Sequence, residues 1–212
     1  MKSKKLFLCL LAAAFTLTPV CGAYAAVPHI TAGNGEGSIL IKYDDDMMSV
    51  ASGDKTIAIG QQVTANGNNS IAIGDNVTAN QGIAIGYNGT TSTGNKAVAI
   101  GNNATANGDD SIAIGNNVTA NQGIAIGYGN TTATSSEAIA IGSNAQATRD
   151  IAIGRMAEAD NQHSLALGFS ATAKENQSTA VGAYADAQNQ KATPQSVIMQ
   201  TLWARIPPLS EV

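Results

Sequence analysis

A chain of 212 residues with 4% aromatic residues, 12% charged residues and 22 Gly has too few large apolar side chains to fill one thick core. Its formal charge is −4; losing Lys2, Lys4 and Lys5 with an N-terminal leader leaves 8 basic against 15 acidic residues, about −7. That balance points away from nucleic acid, which needs a basic surface. It suits an extended repeat rod, in which each turn buries only a few side chains.

Met1-Lys2-Ser3-Lys4-Lys5 is a short basic segment, Leu6 to Val20 is an apolar run, and Ala23-Tyr24-Ala25 supplies a small-x-small cleavage pattern. Together they predict a secretory signal peptide over residues 1–25, cleaved after Ala25. The run is short for an uncleaved membrane anchor, and Pro19-Val20 ahead of Cys21 fits a lipobox poorly. Both cysteines, Cys9 and Cys21, fall inside the leader. The mature chain is therefore expected to have no disulfide, no thiol nucleophile and no thiolate metal site.

Residues 26–52 form a less regular N-terminal cap. Gly33-Asn34-Gly35-Glu36-Gly37 reads as a flexible loop, since a phosphate cradle needs a following Lys and a helix. Ser38-Ile39-Leu40-Ile41 reads as a degenerate first coil without its Gly, as terminal repeats often are. Asp44-Asp45-Asp46 is taken as a solvated acidic turn, because it lacks the ligand spacing of a calcium loop.

From residue 53 to 190 one unit returns ten times, as in Ser70-Ile71-Ala72-Ile73-Gly74 followed by Asp75-Asn76-Val77-Thr78-Ala79. Its closing glycines are Gly60, Gly74, Gly86, Gly101, Gly115, Gly127, Gly142, Gly154, Gly168 and Gly182. The steps between them are uneven, and over the first seven glycines the order of long and short steps itself recurs. Gly60, Gly101 and Gly142 are therefore equivalent, as are Gly74 and Gly115. Tandem repetition on this scale predicts a solenoid. The apolar period is 2, not 3.6, and a Gly in every helical repeat would cost about 1 kcal/mol relative to Ala.

In a strand Ile71 and Ile73 share one face and Ala72 takes the other. Gly74 then turns a sharp corner, Val77-Thr78-Ala79 is a second short strand, and Asn80-Gln81-Gly82 or Asn66-Gly67-Asn68-Asn69 turns the chain back. The coils differ in length only at this second turn, on this reading. The expected core is Ile57 and Ile59, Ile71 and Ile73, Ile83 and Ile85, Val98 and Ile100, Ile112 and Ile114, Ile124 and Ile126, Ile139 and Ile141, Ile151 and Ile153, Leu165 and Leu167, and Val181, lining an enclosed channel. The alanine row, Ala58 to Ala180, is then an outward face smooth enough for another subunit to approach. Ten coils at about 4.8 Å each make a rod about 48 Å long.

Asn69-Ser70-Ile71-Ala72-Ile73-Gly74 and Asp110-Ser111-Ile112-Ala113-Ile114-Gly115, with Gln177-Ser178-Thr179-Ala180-Val181-Gly182 as a looser copy, closely resemble the head repeat of trimeric autotransporter adhesins of the YadA type. The resemblance covers about residues 53–190. It implies an all-β left-handed parallel β-roll of about ten 12–15-residue coils, three chains wound together, and attachment to host matrix or cells. Expected partners are a second and third copy of the chain and a host extracellular-matrix or cell-surface ligand; no cofactor and no metal are implied. Family members continue into a neck, a coiled-coil stalk and a membrane-anchor barrel. Residues 191–212 instead leave the repeat rhythm and contain the single Trp, Trp203. Read one nucleotide earlier, Met199-Gln200 forces Ala and Trp203-Ala204 forces Gly, and the shifted frame can encode a further repeat in phase with Gly182. The expectation is a frameshift near Lys191 that truncates a longer adhesin, leaving it without a membrane anchor and hence periplasmic or secreted.

Other chemistry is weakly signalled. His29 and His163 lack partners at ligand spacing, and Ser70, Ser111, Ser164 and Ser178 are equivalent repeat positions, not one special nucleophile. Asn-x-Thr triplets such as Asn76-Val77-Thr78 match a glycosylation pattern but recur because the repeat recurs. Tyr87, Tyr128, Phe169 and Tyr184 sit at or near the corners, as ligand contacts or as corner packing. A hexapeptide-repeat acyltransferase, the alternative reading and an enzyme, would keep its coils to multiples of six, which the uneven steps here do not. An ice-binding solenoid would need ranks of Thr-x-Thr, whereas Thr90-Thr91 and Thr131-Thr132 are adjacent.

Overall fold

The computed structural model describes residues 29–42 and 48–187; the leader, the Asp44–Asp46 turn and the out-of-phase tail 191–212 lie outside them. Within the described residues seventeen strands and no helix join in one sheet. Each copy of the repeat makes one rung of a parallel β-solenoid of about ten turns. Ile57, Ile71, Ile83, Val98, Ile112, Ile124, Ile139, Ile151, Leu165 and Thr179 pair in register from rung to rung. Several rungs, such as Ile71–Ala79, run through the corner as one strand; later ones split, as in Ile139–Ile141 and Gln146–Ala147.

The strand Ile39–Lys42 extends this ladder one rung further, pairing Ile39 with Ile57, Leu40 with Ala58 and Lys42 with Gly60. His29–Ala32 lies antiparallel on it. A reversed strand over the terminal rung covers an edge that would otherwise offer free backbone groups to another chain.

The faces are inverted relative to the expectation drawn from isoleucine size. The whole alanine row, from Ala58 through Ala113 to Ala180, is 0% exposed and forms the interior together with Val63, Val77 and Val118. Ile57, Ile71, Ile83, Val98, Ile112, Ile124, Ile139, Ile151 and Leu165 point outward, as do Ile59, Ile73, Ile85, Ile100, Ile114, Ile126, Ile141, Ile153, Leu167 and Val181. Most are partly buried, and Ile100, Leu167 and Val181 reach 36%, 39% and 45% exposure. They line no channel, and the alanine row offers no contact surface.

The corner explains the inversion. Only Asp75 and Asn76 separate Gly74 from the inward Val77, and Asn76 folds back with φ 54°. So short a corner cannot hold two walls at the about 10 Å usual between sheets packed through large side chains. Only Ala, Val, Ser and Thr fit between them. The period-2 rule then places Ser70, Ala72 and Gly74 inside and both isoleucines out.

The corner glycines are required by contact as well as by conformation. At Gly115, with φ 134°, an added Cβ would lie 1.8 Å from the Gly127 carbonyl oxygen. Coil length also varies at this corner, contrary to the expectation that only the second turn absorbs insertions. Gly86 and Gly127 are each followed by one extra residue, so the register shifts before Thr90 and Thr131.

Candidate interaction surfaces

Three long surfaces follow from this geometry. The first is the isoleucine wall, two apolar columns running the length of the rod. β-Branched side chains in register on a flat wall present a continuous apolar strip.

The second is the outer side of the opposite wall. Thr64, Thr78, Thr91, Thr105, Thr119 and Thr132 pair in register over six successive rungs. The adjacent pairs are thus split: Thr91 and Thr132 face out, while Thr90 and Thr131 are fully buried. Two residues further on, Asn66 Nδ2 donates to Asn80 Oδ1 (3.3 Å) and Asn107 Nδ2 to Asn121 Oδ1 (3.0 Å). The Thr93 hydroxyl donates to Asn107 Oδ1 at 3.3 Å. Carboxamides stacked at the rung spacing satisfy one another in this way. Toward the C-terminal end the same wall turns charged: Gln146, Glu158, Thr172 and Asp186 succeed one another. There Lys174 Nζ lies 2.9 Å from Glu158 and 4.0 Å from Asp160. Its hydrogen bond to Glu158 raises the Lys174 pKa above the usual lysine value.

The third surface is the glycine corner. Tyr87, Tyr128 and Tyr184 are 56%, 65% and 72% exposed. Phe169 and Tyr184 meet edge-to-face with ring centres 4.9 Å apart, and the Arg155 guanidinium lies 5.0 Å from the Phe169 ring centre. All three tyrosines project, and only Tyr184 does so with another corner ring, Phe169, against it.

The remaining sequence candidates are structural or dispersed. Ser111 and Ser164 are buried, and their hydroxyls donate to the turn carbonyls of Gly108 (2.6 Å) and Asn161 (2.7 Å). Ser70 and Ser178 are buried at equivalent positions. His163, with φ 60°, shares an open cleft with Glu137, Arg149 and Asp150. Among the described residues no cluster of three or more His, Cys, Asp or Glu is placed to hold a metal ion. The threonine column and the asparagine ladders went unread in the sequence, although the signal was present: a Thr four or five positions after successive closing glycines.

A sequence model of the YadA head domain repeat matches residues 51–76, 92–117, 133–150, 145–170 and 159–185. The chain belongs to the YadA head family. No curated protein and no solved structure gives a match. YadA heads are adhesin-type modules of surface-exposed autotransporters, and such solenoid heads are in general not enzymes. The first three matched segments begin at positions 51, 92 and 133, in step with the equivalent glycines Gly60, Gly101 and Gly142. The two stretches the YadA repeat skips, 77–91 and 118–132, contain the lengthened corners at Tyr87 and Tyr128.

Proposed function

We propose that this chain is the head of a trimeric adhesin, exported through its N-terminal leader and attaching cells to host matrix or host cell surfaces. Three copies assemble through their isoleucine walls, leaving the threonine walls outside for ligands. The observation that carries this reading is the partly exposed isoleucine wall itself. Two columns about 7 Å apart and about 48 Å long make a strip of several hundred Å², the size at which exposed apolar surface marks an interaction site. Membership of the YadA family supports the number three. A flat apolar face repeated at every rung also suits a cyclic contact, in which the same strip of each copy packs about one axis.

The test is native mass spectrometry of the secreted chain with Ile114→Asp and Ile126→Asp variants, alongside attachment of chain-coated beads to matrix-coated surfaces and cultured cells. A trimer mass for the wild type, a monomer mass for the variants and attachment by the trimer alone are expected. A wild type that is monomeric, or beads that attach to neither surface, would overturn the proposal.

A further inference from the structure

Two rungs depart from the repeat in the same manner. At Gly86-Tyr87-Asn88-Gly89-Thr90 and Gly127-Tyr128-Gly129-Asn130-Thr131 the corner gains one residue, turning through left-handed Asn88 (φ 59°) and Gly89 (φ 87°) in the first and through Gly129 (φ 77°) in the second. Bulges of this type re-aim a side chain, and they concentrate at functional edges. Here each one directly follows an outward tyrosine that keeps the register of the corner column. A buried threonine stands where the preceding rung has its inward valine, Val77 or Val118, and holds the loop. Thr90 Oγ1 donates to the Gly101 carbonyl (2.8 Å), with the Tyr87 carbonyl at 3.1 Å sharing the same proton, and Thr131 Oγ1 donates to that of Gly142 (2.6 Å), with Tyr128 at 3.3 Å.

The two tyrosines close one continuous column: Tyr87 pairs with Asn102, Asn102 with Asn116, and Asn116 with Tyr128. Three rungs separate the rings, about 14 Å at the usual strand spacing. Beside the column Asn88 Nδ2 donates to Asn102 Oδ1 (3.1 Å) and Asn117 Nδ2 to Asn116 Oδ1 (2.8 Å). A carboxamide has two donors and two acceptor sites, more than these contacts use. From Gln61 to Tyr128 the column holds no Lys or Arg and one carboxylate, Asp75.

We propose that the Tyr87–Asn102–Asn116–Tyr128 column is a binding strip for a neutral glycan. The chemistry matches in each part. An exposed tyrosine ring offers an apolar face to the C–H face of a sugar and a polar tip to its hydroxyls. The two carboxamides between the rings serve the hydroxyls of the units that bridge them. Without cations the strip discriminates against sulfated or uronic polymers and nucleic acid, whose capture depends on Lys and Arg. The threonine hydroxyls hold the backbone under each tyrosine, so only the ring's own rotamer freedom is lost on binding. This deepens the adhesin reading and rests on it, because the corner must stay outside the assembled isoleucine walls.

The experiment is an array of neutral and anionic oligosaccharides probed with the secreted full-length chain, followed by titration of the neutral hits. Tyr87→Ala and Tyr128→Ala are each expected to weaken binding about tenfold, as loss of one stacking platform does, and the double variant to lose it. Tyr→Phe at both positions retains binding, Thr90→Val with Thr131→Val weakens it, and the native mass is unchanged throughout. Absence of any glycan hit, recognition of anionic glycans or peptides alone, full binding by the double alanine variant, or loss of assembly in the tyrosine variants each overturns the strip. If the double variant attaches to cells as well as the wild type does, the strip fails and the adhesin reading stands. If the wild type binds glycan but attaches to nothing, the adhesin reading fails instead.

Discussion

Replacing Ala113 by Leu tests which face of the rung is inside. Ala113 is 0% exposed, lies between Ala99 and Ala125 on the adjoining rungs, and belongs to the same buried cluster as Val118 and Ala120. Leu adds three carbons to this space, and overpacking a filled core costs about 1–3 kcal/mol. The rungs above and below repeat at about 4.8 Å, so the wall cannot bulge at one rung without displacing two others. The upper end of that range, about 3 kcal/mol, is therefore expected. For a chain of this size that lowers Tm by about 6–12 °C. The comparison is Ile114→Ala. A fully buried Ile would lose about 2–5 kcal/mol; Ile114, only partly buried, should fall toward the lower end of that range in the separated chain. Thermal unfolding followed by far-UV circular dichroism, at concentrations low enough to separate the copies, ranks the two. If Ala113→Leu melts with the wild type while Ile114→Ala loses more than about 3 kcal/mol, as a fully buried Ile would, the interior has been assigned to the wrong face.

Two further outcomes follow from named contacts. Gly115→Ala should abolish recovery of protease-resistant protein, because its Cβ meets the Gly127 carbonyl oxygen at 1.8 Å; Gly89→Ala, whose nearest atom is Asn103 Oδ1 at 3.7 Å, should fold with a loss of about 1–2 kcal/mol from its left-handed backbone. Equal yields from both would refute the contact argument. Lys174→Met should cost well under about 1 kcal/mol at neutral pH, since both partners of the ion pair are partly exposed. The pKa of Lys174 is raised in the folded chain, so its contribution is complete below the ordinary lysine pKa and is lost as pH rises through the raised value. Denaturant melts of variant and wild type should therefore converge in strong alkali, and a gap that persists there refutes the assignment to the charged pair.

Much of the architecture was legible because strand periodicity and glycine punctuation are local signals. Ile71-Ala72-Ile73-Gly74 announces a strand ending in a corner, and its recurrence announces the ladder and its register. The side facing inward was harder to read, because hydrophobicity favoured Ile over Ala. Wall separation decides it, and that depends on how tightly Asp75 and Asn76 turn. A subtler clue existed in the repeats themselves. Each of the ten copies has Ala at the position of Ala72, whereas the Ile71 position also takes Val98, Leu165 and Thr179; variation in volume and polarity is tolerated on an open wall and not inside a filled one. The lengthened corners were misplaced because Gly89 and Gly129 resemble ordinary turn residues, and only pairing against Val77 and Val118 shows the extra one. The binding surfaces were least legible. Tyr87, Asn102, Asn116 and Tyr128 become neighbours only once the coils are stacked, and no contiguous motif joins them.

The in-register stacking of the coils has an evolutionary consequence. The longer unit, from Gly60 to Gly101 and again to Gly142, is three coils tall, and its upper and lower margins offer the same sequence of donors and acceptors. Recombination between near-identical gene segments can therefore splice one such unit in or out without posing a new packing problem at the join. Each event changes the reach of the rod by about 14 Å. How far the molecule extends is thus heritable separately from what its coils touch.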